Sequence, residues 1–308
     1  MKLTIGTRGS KLALFQVDLV TNLLKNKFPD MKFDKKIIKT TGDKILDVPL
    51  AKIGGDGLFV KEIDEAVVSG VVDFAVHSMK DVPTQMPEGL EISSAPKRGD
   101  IGDALISRDG SGIENLPSGA VIGTSSIRRK AEIRNHRQDI QTRDLRGNVE
   151  TRLRKLDSGD YDAIIMAKAG LRRLGFEDRI TEELPLNIFP PAVGQGAIAI
   201  VARKDFSGKE YLNAVNHSDS MVSIRAERAL LKSLGGGCQV PIGAITSIES
   251  RLSLKGVIIS PSGERRIDAE YRGAPEDAEE IGEEVARRLL EVGADEILKE
   301  VYGEGWSD

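Results

Sequence analysis

Cysteine, histidine and aromatic side chains are scarce in this chain, and each scarcity removes a class of function. A single cysteine, Cys238, cannot form an internal disulfide, and with only His77, His136 and His217 beside it no zinc site is supported. Aromatics make up 4% of the residues, too few for a platform on which bases could stack. A formal net charge of -4 argues against general binding to nucleic acid or to a membrane surface. No apolar run approaches a membrane span, and MKLTIGTRGSKLAL turns polar too early for a secretory signal. Neither G-x4-G-K-[ST] nor G-x-G-x-x-G occurs, so nucleotide phosphates are not the indicated anions. These exclusions leave a soluble cytoplasmic protein with neither nucleic acid nor membrane as its partner.

What the chain does contain is ample apolar sequence, 40% of 308 residues, enough for about two or three domains. Residues 2–6 read as a strand, and Ser10 as the cap of a helix in which Leu12, Phe15, Leu19, Val20, Leu23 and Leu24 recur at helical spacing until Pro29. A second strand is predicted near 35–39. A glycine loop at 54–57 precedes a helix over about 60–69, and residues 71–76 read as a buried strand leading into His77-Ser78-Met79-Lys80-Asp81-Val82-Pro83.

The same grammar then recurs. Residues 120–124 (AVIGT) echo 3–7 (LTIGT) and are followed by a helix start near Ser126. Residues 162–168 echo 73–80 as a strand entered through an acid and left near a lysine. An internal duplication of this kind predicts two similar α/β lobes with their strand-end loops turned to a shared cleft. A further apolar strand is predicted at 197–201. From about Ser218 the pattern becomes a helix, alternating strands near 243–260 and 265–271, and one long helix over about 275–301, which is a small α+β domain.

Charge is distributed unevenly. Between Arg128 and Lys155 ten Lys/Arg face four acids, a local +6 inside a chain of net -4, and eight of the ten are arginines, which suit forked recognition of carboxylates. Some of them, such as Arg134 and Arg137, read as a solvated helix face. Arg128 and Arg129 are different, because they follow Gly123-Thr124-Ser125-Ser126, whose hydroxyls and free N–H groups at a helix start already favour an anion. Arg8, Arg172 and Arg173 add cations near strand ends. Polycarboxylates fit this stock as well as phosphates or better. Cys238 sits in Gly-Gly-Gly-Cys-Gln-Val-Pro, where a small buried side chain and a loop-borne nucleophile or covalent anchor are both open readings. Asp81 is equally open, as a turn former before Val-Pro or as an acid at a strand end.

Several of these stretches, taken in order, resemble the porphobilinogen deaminase family. They are Thr7–Ala13 (TRGSKLA), His77–Pro83 (HSMKDVP), Gly123–Arg129 (GTSSIRR), Leu145–Arg152 (LRGNVETR), Pro191–Gly196 (PAVGQG) and Gly235–Gly243 (GGGCQVPIG), with Glu227-Arg228 ahead of the last. The resemblance spans nearly the whole chain. It implies an α/β fold of two periplasmic-binding-protein-like lobes plus a small C-terminal α+β domain, divided as 1–96 with 197–215, 102–190, and 218–308. It implies a dipyrromethane cofactor joined by a thioether to Cys238, and a transferase of tetrapyrrole and heme biosynthesis. Four porphobilinogens would be condensed onto that primer with loss of ammonia, and water would release hydroxymethylbilane.

The resemblance also assigns roles. Asp81 would be the catalytic carboxylate. Lys80, Thr124, Ser126, Arg128 and Arg129 would hold the cofactor carboxylates. Arg8, Ser10, Gln16, Arg146, Arg152, Arg173 and Gln195 would handle the incoming substrate or the growing chain. A monomer is expected, and no metal. Asp56 departs from the family, many members of which carry Lys in that glycine loop; Lys52 or Lys61 could compensate. A non-catalytic anion-binding protein would also explain the arginines and the duplication, but not the glycine-rich Cys238 loop.

Overall fold

The computed structural model describes residues 1–44, 57–236 and 240–302. They fall into two compact bodies, one taken from 1–44, 57–99 and 196–221 and the other from 100–195, 222–236 and 240–302. Among the described residues no helix is long and apolar enough to cross a membrane.

The first body is a five-stranded mixed sheet. Its strands are β1 (Lys2–Thr7), β2 (Lys32–Ile37), β3 (Phe74–Ser78), β4 (Leu90–Ser94) and β10 (Ile198–Arg203), in the order β2-β1-β3-β10-β4. β1 pairs in parallel with β2 and β3, while β10 runs antiparallel to β3 and β4. Helix α1 (Lys11–Lys27) buries Val17, Val20 and Leu24 at helical spacing against Leu3, Ile5, Phe74, Val76 and Ile200. Its start follows the expectation, since Ser10 Oγ accepts from the Ala13 N–H at 3.2 Å. Helix α2 (Lys61–Val68) buries Ile63 and Val67. β2 is a largely exposed edge strand carrying Lys32, Lys35 and Lys36, charges that discourage a further strand from adding there.

The second body repeats that plan. Its sheet contains β5 (Asp103–Ser107), β6 (Val121–Gly123), β7 (Gln141–Arg143), β8 (Ala163–Ala167) and β9 (Glu182–Glu183), ordered β7-β6-β8-β5-β9, with the same sequence of parallel and antiparallel pairings. Helices α3 (Ile127–His136), α4 (Val149–Asp157) and α5 (Lys168–Arg173) complete it. The duplication extends to single contacts. Asp73 accepts from the Thr4 N–H at 2.6 Å and donates its own N–H to Thr4 O at 2.8 Å; Asp162 forms the same clasp with Val121, at 2.8 and 3.0 Å. Gly6 and Gly123 hold equivalent places, and in both a Cβ would press on a neighbour, Ile63 and Val72 in one lobe and the Tyr161 ring in the other. The equivalence of Asp73 with Asp162 pairs Lys168 with Met79, so the two lysines of the sequence pattern are one residue out of step.

The same body carries the C-terminal sheet, an antiparallel β11 (Ile242–Ile248), β12 (Leu252–Ile259) and β13 (Arg266–Gly273). It packs on α7 (Ser218–Ser233), which follows the short α6 (Lys209–Asn213), and on α8 (Ala278–Glu291), through Ala226, Leu230, Leu254, Ile258, Val285 and Leu289. The single long helix expected over 275–301 is broken. Gly293, at φ +97°, ends α8, and α9 (Ala294–Tyr302) starts afresh. α7 and α8 touch at Gly282, where a Cβ would lie 2.3 Å from Ala226 O and 2.6 Å from Ala229 Cβ. Gly282→Ala should therefore lower stability by about 1–3 kcal/mol through overpacking, although alanine is the better helix former. A thermal melt gives the sign, and a raised melting temperature would refute the close packing.

Candidate active site

In the first body the ends of β1 and β3 and the first turns of α1 enclose a concavity of about 420 Å³ including its open mouth, lined by Arg8, Ser10, Gln16, His77, Ser78 and Asp81 among others. Arg8 is half-buried, with its guanidinium carbon 4.4 Å from the centre of the Phe59 ring, which fixes the cation by its face. Gln16 is buried on the inner face of α1 and donates through Nε2 to Ser78 Oγ at 2.9 Å. Asp81 closes a single 3-10 turn, Met79–Asp81, that immediately follows β3. Backbone hydrogen bonds close the turn, Met79 N–H to Ala197 O at 3.0 Å and Val82 N–H to Met79 O at 3.1 Å, and neither uses the carboxylate. Lys80, beside it, is half-buried. Beneath the concavity His77 Nε2 lies 3.3 Å from Asp64 Oδ1 on α2, both side chains buried. Four of the expected residues, Arg8, Ser10, Gln16 and Asp81, thus come together from two segments of sequence.

In the second body the expected anion-binding segment is the start of α3. Ser126 Oγ caps the helix by accepting from the Arg129 N–H at 3.4 Å, and Thr124 Oγ1 accepts from the Ser126 N–H at 3.2 Å. Arg128 and Arg129 are buried, 5% and 6% exposed, and do not fan out into solvent. Both reach Asp103, the first residue of β5. Arg128 Nη2 donates to Oδ2 at 2.8 Å, Arg129 Nε to Oδ2 at 3.0 Å, and Arg129 Nη2 to Oδ1 at 2.6 Å. Gln195 joins through Nε2, which donates to Asp103 Oδ1 and to Ile101 O, each at 2.8 Å. Arg128 Nη1 also donates to Glu132 Oε1 at 2.7 Å and to Pro190 O at 2.5 Å. The far end of α3 is tied to the C-terminal sheet, where Asn135 Nδ2 donates to Gly263 O at 2.7 Å.

The remaining expected residues lie on the loop before α4, on α4 and at the end of α5. Arg146 is half-buried in the loop before α4. Arg152, on α4, donates through Nε to Gly147 O at 2.8 Å. Arg173 ends α5, and burial lowers its guanidinium pKa. Arg172 is engaged structurally, with Lys168, Asp100 and Glu183 in a ring of alternating charges. Cys238 lies outside the described residues, between Gly236 and Val240, and so do Lys52, Asp56 and most of the glycine loop expected at 54–57; the terminal 303–308 lie outside as well.

Two buried carboxylates of this network titrate in opposite directions. Burial alone would raise Asp103, but two arginines bonded to both its oxygens outweigh it and hold the carboxyl well below the usual range. Glu132 is bonded by one arginine only; burial prevails, aided by the nearby Asp103 charge, and its carboxyl is pushed up to about 8 from 4.5. Asp103 therefore contributes stability that is present above the ordinary carboxylate range and lost in acid. For Glu132 the sign reverses. Between 4.5 and about 8 the native state keeps a proton that the unfolded chain has released, so its contribution is full below that window and fades as pH rises through it. Glu132→Gln, which cannot ionise, should thus gain melting temperature relative to the parent between about pH 5 and about pH 8.5. A constant difference across that range would refute the raised value.

Neither Asp103 nor Glu132 was singled out by the sequence. The available signal was an acid set directly against an apolar run, Ala104-Leu105-Ile106, where a strand-initiating aspartate looks like any turn residue.

Comparison with known proteins adds the following. Residues 3–209 match a family model described as porphobilinogen deaminase, dipyromethane cofactor binding domain, and residues 221–291 match its C-terminal domain. A porphobilinogen deaminase of Syntrophobacter fumaroxidans is 50% identical over 300 residues, covering 97% of each chain. One of Geobacter sulfurreducens is 49% identical over 303 residues, covering 98% of this chain and 95% of the relative. A substrate-binding domain of a putative molybdenum ABC transporter from Clostridium difficile superposes with a TM-score of 0.43 at 9% identity, over 72% of this chain and 96% of that one.

Proposed function

Since the chain belongs to the porphobilinogen deaminase family, transferases with a dipyrromethane cofactor, we propose that it condenses four porphobilinogen molecules one at a time onto a primer held by the Cys238 sulfur. Ammonia leaves at each addition, and water finally releases hydroxymethylbilane. When bound, the dipyrromethane supplies the carbon to which the first pyrrole is joined. The residues present suit such a ligand. Each pyrrole offers carboxylates that call for guanidinium, ammonium and hydroxyl donors, and an N–H that calls for an acceptor; the described residues provide both sets.

In this reading Lys80, Thr124, Ser126, Arg128 and Arg129 hold the cofactor carboxylates, and Arg8, Ser10, Gln16, Arg146, Arg152, Arg173 and Gln195 hold the substrate and the lengthening chain. Asp81 accepts from pyrrole N–H groups and stabilises the positive charge that develops on them as ammonia departs and the carbon–carbon bond forms; it also accepts or returns the proton that is shifted. The supporting observation is the concavity in which Asp81 stands with Arg8, Ser10 and Gln16, one carboxylate among side chains able to donate. The division into 1–96 with 197–215, 102–190 and 218–308 belongs to the same reading, and separate apolar clusters in each segment support it. A monomeric state, a cytoplasmic location, and the absence of nucleic acid and membrane from its partners belong to the same proposed reading.

The test is the purified protein's intact mass together with its product stoichiometry. The expected mass exceeds the polypeptide by two condensed porphobilinogen units, and four ammonia molecules accompany each hydroxymethylbilane. A bare mass that stays bare and inert with porphobilinogen would overturn the reading.

A further inference from the structure

Resting on the carboxylate-binding roles proposed above, we infer that Asp103 is a positioning residue of the cofactor and substrate site: one buried carboxylate sets the orientation and the net charge of Arg128, Arg129 and Gln195 together. The three side chains come from different places, two from the start of α3 and one from the segment before β10, and Asp103 is the atom group they share. Its side chain is fully buried and accepts four hydrogen bonds of 3.0 Å or less, three from the guanidiniums and one from the amide. Arg129 is gripped side-on through Nε and Nη2, which leaves its Nη1 edge directed at Ile165 O, 3.1 Å away. Gln195, held by Asp103 and Ile101 O, turns its Oε1 towards Arg129 at 3.5 Å. A guanidinium seized in this way has one orientation, and the N–H groups that remain for a ligand carboxylate are fixed by the ones already used.

The net charge follows from the same geometry. Two guanidiniums against Asp103 alone leave one positive charge with which to attract a carboxylate; an ionised Glu132 would cancel it. Glu132 has no exposed side-chain surface, and its Oε2 has no hydrogen-bond partner among the described residues; only Arg128, at Oε1, favours a second negative charge there, against the cost of burying it. The charged groups that face it are Arg128 and Arg129 from its own helix and Asp103 from β5. The raised carboxyl of Glu132 agrees with this, since it remains protonated at neutral pH. Asparagine is a poor replacement for Asp103. It has one acceptor oxygen instead of two, and its amide N–H groups would face guanidinium donors.

The experiment compares the purified, primer-bearing parent with Asp103→Asn by intact mass, kcat and KM for porphobilinogen, and thermal melting. Positioning predicts a smaller fraction of chains carrying the primer and a KM raised by at least about tenfold, with kcat per primed chain changed much less. A lowered melting temperature with primer fraction and KM unchanged would mark Asp103 as a structural ion-pair partner only and overturn the inference. Should Asp103→Asn not fold, Asp103→Glu decides, because it keeps the charge and both acceptor oxygens but shifts them by one methylene: a raised KM with a smaller primed fraction supports positioning, and parental values of both overturn the inference. A parent that is itself bare and inert counts against the functional reading, whereas a primed, active parent with indifferent variants counts against Asp103.

Discussion

Replacing Asp81 by asparagine should leave a folded protein that still binds porphobilinogen but turns it over about 10²–10³-fold more slowly, the range seen when a single preorganised electrostatic group is removed. The shape of the side chain is preserved, and the 3-10 turn that carries it is closed by Met79 N–H to Ala197 O and Val82 N–H to Met79 O, neither of which involves the carboxylate. The Arg8–Phe59 stack and the Gln16–Ser78 hydrogen bond, which border the same concavity, also stay intact. On the role proposed for Asp81, what is lost is one negative charge at the point where ammonia leaves a pyrrole and its nitrogen becomes electron-poor. The donors that bind carboxylates are untouched, so the loss falls on kcat while KM moves little. Steady-state kinetics beside a melting curve checks this. Turnover within a few-fold of the parent would remove Asp81 from the chemistry, and a large rise in KM would recast it as a binding group.

The elements around that carboxylate were legible because they obey short-range rules. Ser10 as cap appears where expected, and a helix follows it, but that helix buries Gln16, Val17, Val20, Thr21 and Leu24 and leaves the expected Phe15 and Leu23 exposed, and the strand expected over 71–76 runs over Phe74–Ser78 with Val71 exposed. The duplication was legible as a repeated strand–turn–helix and proved to extend to the Asp73 and Asp162 clasps. The expected strand near 35–39 lies earlier, at Lys32–Ile37, because an exposed edge strand rich in lysine has no apolar alternation to mark its ends. The break at Gly293 was missed because a glycine inside a strongly amphipathic stretch is tolerated as often as it terminates a helix. Arg128 and Arg129 were legible as cations beside a helix start, but not as a buried pair. Their burial depends on Asp103 and Gln195, respectively 25 and 67 residues from Arg128 in sequence, and on Pro190 O. A single chain carries no local signal for such a convergence.

Replacing Cys238 by alanine has the largest expected effect of any substitution in this chain. The protein should be recovered at the mass of the bare polypeptide, and porphobilinogen turnover should fall to background. The chain holds no second sulfur nucleophile, since Cys238 is its sole cysteine, and a serine hydroxyl at that position would lack the acidity that makes a thiolate reactive near neutral pH. Loss of the anchor also differs in kind from loss of a binding arginine. An arginine contributes one of many attractions to a polyanion, and its removal leaves the others in place. The covalent bond keeps the growing chain from dissociating between additions, so without it each new pyrrole would have to find an untethered partner at solution concentration. The sulfur itself supplies an independent readout. A thioether does not react with thiol reagents, so the denatured parent should take up no alkylating agent, whereas a bare chain would take up one equivalent. If Cys238→Ala retained the added mass or appreciable turnover, the anchor would lie elsewhere; if the parent titrated as a free thiol, the two lobes would be binding anions without building anything on them.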